Sequence, residues 1–191
     1  MWVFLATEIM FFGGLFAGYS VYRGLYFPGF DAGSALLNVK VGALNTALLL
    51  CSSLTMALGV RAATLGKRRE LATFLVLTIL LGLTFVGIKL GVEWHHDYLE
   101  HLAPGINFAY EGPNARAVEL FFVFYFFMTG VHALHMVVGV SILAVLLWMT
   151  FRGRFGPERY NPVEMAGLYW HFVDIIWIFL YPLLYLIGAH H

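Results

Sequence analysis

The recurrence of apolar runs long enough to cross a bilayer limits this chain more than any other feature. The runs fall near 2–22, 41–65, 71–94, 117–150 and 163–187. A hydrocarbon core about 30 Å thick needs ~20 residues of α-helix, and each run reaches that length. Inside lipid every backbone N–H and C=O must be satisfied within the protein, so runs of this kind are helices packed together. The expected fold is all-α, a polytopic membrane bundle of five transmembrane helices forming one domain over 1–191.

The polar remainder narrows the possible partners. Only 12% of residues are charged against 61% hydrophobic, and the formal net charge is zero. No basic tract interleaved with aromatics is present, so nucleic acid is excluded and the membrane and neighbouring subunits are expected instead. Cys51 is the only cysteine and can form neither an intrachain disulfide nor a Cys-based zinc cluster. The first apolar run begins at Trp2 without a basic leader and is expected to belong to the mature protein.

Loop charge gives the orientation. Arg61, Lys67, Arg68 and Arg69 flank the second connection, and Arg152, Arg154 and Arg159 the fourth, which places both in the cytoplasm. Opposite them lie Arg23, Lys40 and Arg116, with Asp31, Asp97, Glu100 and Glu111. The N-terminus is then inside and the C-terminus outside, where His190 and His191 are assigned no role. Gly14 and Gly18, and Gly130 and Gly139, are expected to admit close helix approach, and Pro182 to bend the last helix near Ile178.

Ionisable residues at bilayer depth cost a few kcal/mol and need a partner, a cavity or neutralisation. Glu8 is either a protonatable or lipid-contacting carboxyl facing the bundle or, ~10 Å from Met1, an interfacial residue. His132 and His135 are three apart on one helical face, which suits a metal, a haem or a hydrogen-bonded seam. His171 and Asp174 have the same spacing and are expected to pair. Lys89 and Glu93, at i and i+4, are expected to pair near the outer end of the third span, with Lys89 able to snorkel outward. His95, His96, Asp97 and His101 follow in what reads as an exposed loop without helical register beyond Trp94, which disfavours a metal there. Two chemical readings stay open on these residues: a b-type cytochrome, with haem held by His132 or His135 and by His171, or a proton or ion transporter lined by the same set with Glu8 and Asp174.

The run Tyr169-Trp-His-Phe-Val-Asp-Ile-Ile-Trp177-Ile-Phe-Leu-Tyr resembles the last-helix signature of subunit III of the haem-copper terminal oxidases. Thr129-Gly-Val-His-Ala-Leu-His135-Met-Val-Val-Gly139 is similar to the preceding helix of that family, and Thr-Glu8-Ile-Met-Phe-Phe12 to its glutamate-bearing helix. Lys89 to Glu93, followed by His-rich sequence and Pro104-Gly105, fits the region between. The match follows family order over nearly the whole chain but lacks the first two of seven spans, as in shorter bacterial versions. A smaller departure is Arg159-Tyr-Asn-Pro-Val-Glu164, where only Glu164 carries over.

The resemblance implies a noncatalytic subunit of a cytochrome c or quinol oxidase in a bacterial inner membrane. It would pack against subunit I, bind phospholipid and support proton uptake. Haem and copper would reside in subunits I and II, with no cofactor in this chain. Glu8, His132, His135, His171 and Asp174 would form its polar interior, while Trp170, Glu164, Arg159, Lys89 and Glu93 are candidates for lipid or subunit contact. On this reading the purified chain shows no Soret band and no stoichiometric copper. A Soret band would make it an independent cytochrome, and ion flux in liposomes without oxidase partners would make it a transporter.

Overall fold

The computed structural model describes residues 2–105, 108–110, 112–156 and 159–186; Glu111, His190 and His191 lie outside them. Five of its helical stretches are long and apolar enough to cross a membrane: α1 (Trp2–Leu25), α3 (Val39–Thr64), the continuous stretch from Arg68 to Leu99, α6 (Ala115–Phe151) and α7 (Asn161–Tyr185). A short helix, α2 (Phe27–Ala35), carries a proline in its first turn and links α1 to α3. Asn38 then caps α3, its Oδ1 accepting from Lys40 N at 3.1 Å and Val41 N at 3.3 Å.

Two glycines end helices in the left-handed region that other residues avoid. Gly66 (φ 69°) closes α3, with Lys67 N donating to Ala62 O at 2.9 Å. Gly153 (φ 71°) closes α6, with Arg154 N donating to Met149 O at 3.1 Å. Both turns satisfy carbonyls that a helix end leaves bare, and both lie at the end of the bundle rich in Arg and Lys.

The third span departs most from expectation. α4 (Arg68–Ile88) runs without a break into a π-helical segment, Lys89–Trp94, and on into α5 (His95–Leu99). The helical register expected to stop at Trp94 therefore continues, and it carries Asp97 inward.

Helix α7 is the most buried span and α1 the least. α7 packs against α3 and α6, and α4 joins α3 to α6. Trp170 sits at the centre of this group, 1% exposed, its Nε1 donating to Ser52 Oγ at 2.8 Å. Its ring fills a slot cut by two glycines. A Cβ at Gly82 would lie 2.7 Å from Trp170 Cη2, and one at Gly139 would lie 3.0 Å from its Cε3. Trp170 is thus a core residue, and the expectation of a lipid or interface role for it is corrected: the glycines on α4 and α6 let helices close over the indole. Around Gly14 there is open space, so this glycine does no packing among the described residues. α7 continues helically through Pro182, and its Leu183 and Leu184 carbonyls accept from Tyr19 OH (2.9 Å) and Ser34 Oγ (2.7 Å). These bonds tie α1 and α2 to its end.

Gly82→Ala should cost about 1–3 kcal/mol through overpacking against Trp170. Gly87→Ala, whose added methyl meets nothing within 4 Å, should be neutral or slightly stabilising. Thermal unfolding of the two purified variants in one detergent checks the difference.

Candidate functional site

Lys89 is fully buried, within a ring of groups drawn from four elements. Its ammonium donates to Glu93, to Tyr125 OH at 3.0 Å and to Tyr185 OH, which uses all three N–H bonds. The Tyr125, Tyr185 and Trp177 ring centroids lie 4.6, 5.1 and 5.4 Å from Nζ, adding cation–π attraction. Glu93 accepts from Lys89, from Tyr185 OH and from Asn45 Nδ2 at 3.1 Å, with Tyr125 OH 3.3 Å away. The expected i,i+4 pair is present. Its expected exposure is not: Lys89 does not snorkel, and neither residue faces lipid, because aromatic hydroxyls from α6 and α7 give inside the bundle the hydrogen bonds that water would give outside it.

Asp97, Tyr125, Tyr185 and Asn45 were not among the sequence-derived candidates. Lys89, Glu93 and Asp97 stand four residues apart and so share one side of a continued helix. Extending the i,i+4 series past Trp94 would have found Asp97. Nothing in one sequence places the tyrosines.

A second contact joins α1 to α6, where Glu8 Oε2 lies 3.1 Å from His135 Nε2 and both side chains are partly exposed. His135 Nδ1 is 2.8 Å from Val131 O, and its own carbonyl accepts from Tyr169 OH at 3.0 Å. His132, the other half of the expected histidine pair, points elsewhere. It is buried between Phe85 and Trp177, with ring centroids 5.5 and 5.1 Å away, and neither ring nitrogen has a hydrogen bond among the described residues. Three residues along a helix turn a side chain by about 60°, enough to send the two imidazoles into different seams.

The expected His171–Asp174 pair does not form. His171 Nδ1 instead meets Ser53 Oγ at 2.6 Å, because α3 packs on α7 at that height. Asp174 is buried, and its carboxylate oxygens make no hydrogen bond of ordinary geometry, although Ser53 lies beside them. Glu164, in the first turn of α7, and Arg159 just before it are exposed at the basic end. Glu164 is well placed to complement the N-terminal end of that helix's dipole. Among the described residues, no three His, Cys, Asp or Glu side chains converge as metal ligands. His132, His135 and His171 each have a different set of neighbours.

The profile of one protein family, described as cytochrome c oxidase subunit III, matches residues 1–189. The chain belongs to that family. Cytochrome c oxidase subunit III is thereby a multi-pass membrane component of a respiratory oxidase assembly, and the family is generally without redox cofactors. A probable cytochrome c oxidase subunit 3 from Nocardia farcinica (strain IFM 10152) is 34% identical over 185 residues, spanning 97% of this chain and 85% of the relative. The Thermostichus vulcanus cytochrome c oxidase subunit 3 is 31% identical over 186 residues, covering 97% and 84%. The corresponding protein of Cyprinus carpio is 32% identical over 197 residues, covering 99% of this chain and 69% of the longer relative.

Lys89→Met should strand the Glu93 carboxylate and cost about 3–5 kcal/mol, whereas Lys89→Met with Glu93→Leu should cost less than the sum of the single changes. Stability of the three variants in one detergent gives the coupling; additive losses would count against the pair.

Proposed function

We propose that the chain is the non-redox core subunit III of a proton-pumping haem-copper oxygen reductase in a bacterial plasma membrane. It stabilises subunit I, holds phospholipid and supports proton uptake. The haem and copper centres lie in subunits I and II, and the N-terminus is cytoplasmic and the C-terminus outside. The alignment over nearly the whole chain supports the complex. Loop charge supports the orientation.

The observation that carries the proton-linked role is the Glu8–His135 contact. Neutral imidazole bears one N–H, and at His135 the neighbouring Val131 carbonyl holds that proton on Nδ1. Nε2 then has only a lone pair to offer, as does a carboxylate. The 3.1 Å approach of Glu8 Oε2 therefore calls for one further proton, carried by either partner. Such a pair can accept and release a proton without rearrangement. It sits on the basic half of the bundle, which the orientation puts toward the cytoplasm.

A groove of about 780 Å³ between α4 and α6, at the same end, supports the lipid role. Arg68 and Arg69 stand among its lining residues and Val76, Leu77 and Phe151 form apolar walls, a combination suited to a phosphate headgroup and an acyl chain.

Purification in mild detergent should bring down subunits I and II with phospholipid, identified by mass analysis; recovery of the chain with neither oxidase subunit would overturn the proposal. Glu8→Gln should assemble and slow oxygen consumption within about tenfold, far short of the ~10²–10⁴ lost with a catalytic acid or base.

A further inference from the structure

A small cavity opens where the α2–α3 turn meets the π-helical segment, about 90 Å³ in volume. Leu37, Asn38 and Val41 form one side, and Glu93, Asp97 and Tyr125 the other, with His96 also in the lining. This volume has room for several waters, and the polar lining can hold them. Asp97 is 5% exposed, and its Oδ2 has no hydrogen bond among the described residues.

Counting donors shows why. Lys89 spends its three N–H bonds on Glu93, Tyr125 and Tyr185. Tyr185 gives its one hydroxyl proton to Glu93, and Tyr125 has one proton to divide between Glu93 and Asp97. Asn45 donates to Glu93, and the Asn38 carbonyl oxygen is turned toward the backbone of α3. The remaining amide donor of the lining, Asn38 Nδ2, does not reach Asp97 Oδ2, which is left unserved among the described residues. The charges run short too, with one ammonium facing two carboxylates; His96 is mostly exposed and lies 3.3 Å from Glu100. The elements packed against the site bring it no further charge: Asn38 and Val41 at the start of α3 and Tyr125 of α6 line it, and Asn45 of α3 and Tyr185 of α7 stand behind it on Glu93 and Lys89.

We propose that this cavity is a hydrated proton-binding site in which Asp97 and Glu93 share one exchangeable proton, delivered by water from the membrane face that bears the α2–α3 turn. A proton on this pair cancels the surplus negative charge and turns an acceptor into the missing donor. The step is a transfer from hydronium to carboxylate, releasing water, with no electron moved. The site lies wholly within this chain and stands apart from the Glu8–His135 contact, so it goes beyond the oxidase-subunit reading and does not rest on it.

The test is infrared difference titration of the full-length chain, with whatever subunits copurify, in lipid nanodiscs in H₂O and D₂O. A protonated-carboxyl band should titrate, shift to lower frequency in D₂O, disappear in Asp97→Asn and move in Glu93→Gln. Asp97→Glu should keep a displaced band, which serves as the reading if Asp97→Asn does not assemble. Val41→Phe, which fills the cavity, should keep the band but slow its exchange with D₂O several-fold. Titrating bands left unchanged by Asp97→Asn, or an undisplaced band in Asp97→Glu, would overturn the assignment. Exchange unaltered in Val41→Phe would overturn the water route. A titration that changes when sodium and potassium are replaced by a bulky organic cation would make the site one for a metal cation instead.

Discussion

An ammonium taken out of water loses hydration worth several kcal/mol even after the protein relaxes, and the groups that offset that loss at Lys89 all lie inside the bundle. No single helix can supply that compensation. Glu93 comes from the same helix, Tyr125 from α6 and Tyr185 from α7, while Asn45 on α3 holds the other oxygen of Glu93. One buried charge thus fixes the relative height of four elements at the α2 end. In lipid this matters more than in water, because apolar side chains gain little by leaving acyl chains for one another, and helices need packing and polar bonds to choose a register.

The other half of the specification is steric. Trp170 enters between Gly82 and Gly139, and its indole nitrogen finds Ser52 on α3, so one side chain of α7 orders three neighbours. α1 is held mainly through two buried aromatics, Phe12 and Tyr19, while most of its other residues are exposed. Its Val3 and Met10 are 78% and 79% exposed, and polar contacts, Glu8 to His135 and Tyr19 to the Leu183 carbonyl, join it to α6 and α7. Under the function proposed above, α1 is the element whose seating would follow the proton held at the Glu8–His135 contact. The proposed proton-linked role falls on that same contact.

The five spans were legible because uninterrupted apolar length is a property of one segment at a time. So was the Lys89–Glu93 spacing, which depends on one helix alone. What failed depended on a second helix. His171 and Asp174 share a face, yet Ser53 on α3 takes the imidazole. Lys89 could snorkel on an isolated helix, yet two tyrosines distant in sequence hold it inside. Asp97 was hidden by its company: a run of histidines before Pro104 looks like a loop, and only continuation of α4 through a π-helical segment turns it into a buried residue. For Glu8 the sequence left a bundle-facing and an interfacial position open, and the choice between His132 and His135 as its partner needed the angle between α1 and α6.

Depth along α6 orders these groups. Tyr125 belongs to the Lys89 cluster, His132 lies seven residues, about 10 Å, further toward the basic end, and His135 one turn beyond it. Between the Lys89 cluster and the Glu8–His135 contact stands His132, enclosed by Phe85 and Trp177 and without a hydrogen bond among the described residues. A proton relay needs each group within reach of the next donor or of water, and an imidazole walled by aromatic rings offers neither. The middle of the bundle has polar groups of its own, with His171 against Ser53 and Asp174 buried beside them, and these lie on the α3–α7 seam. On the function proposed above, His132 would be a break between the two sites and not a link, so that a proton taken up at one would not pass through it to the other.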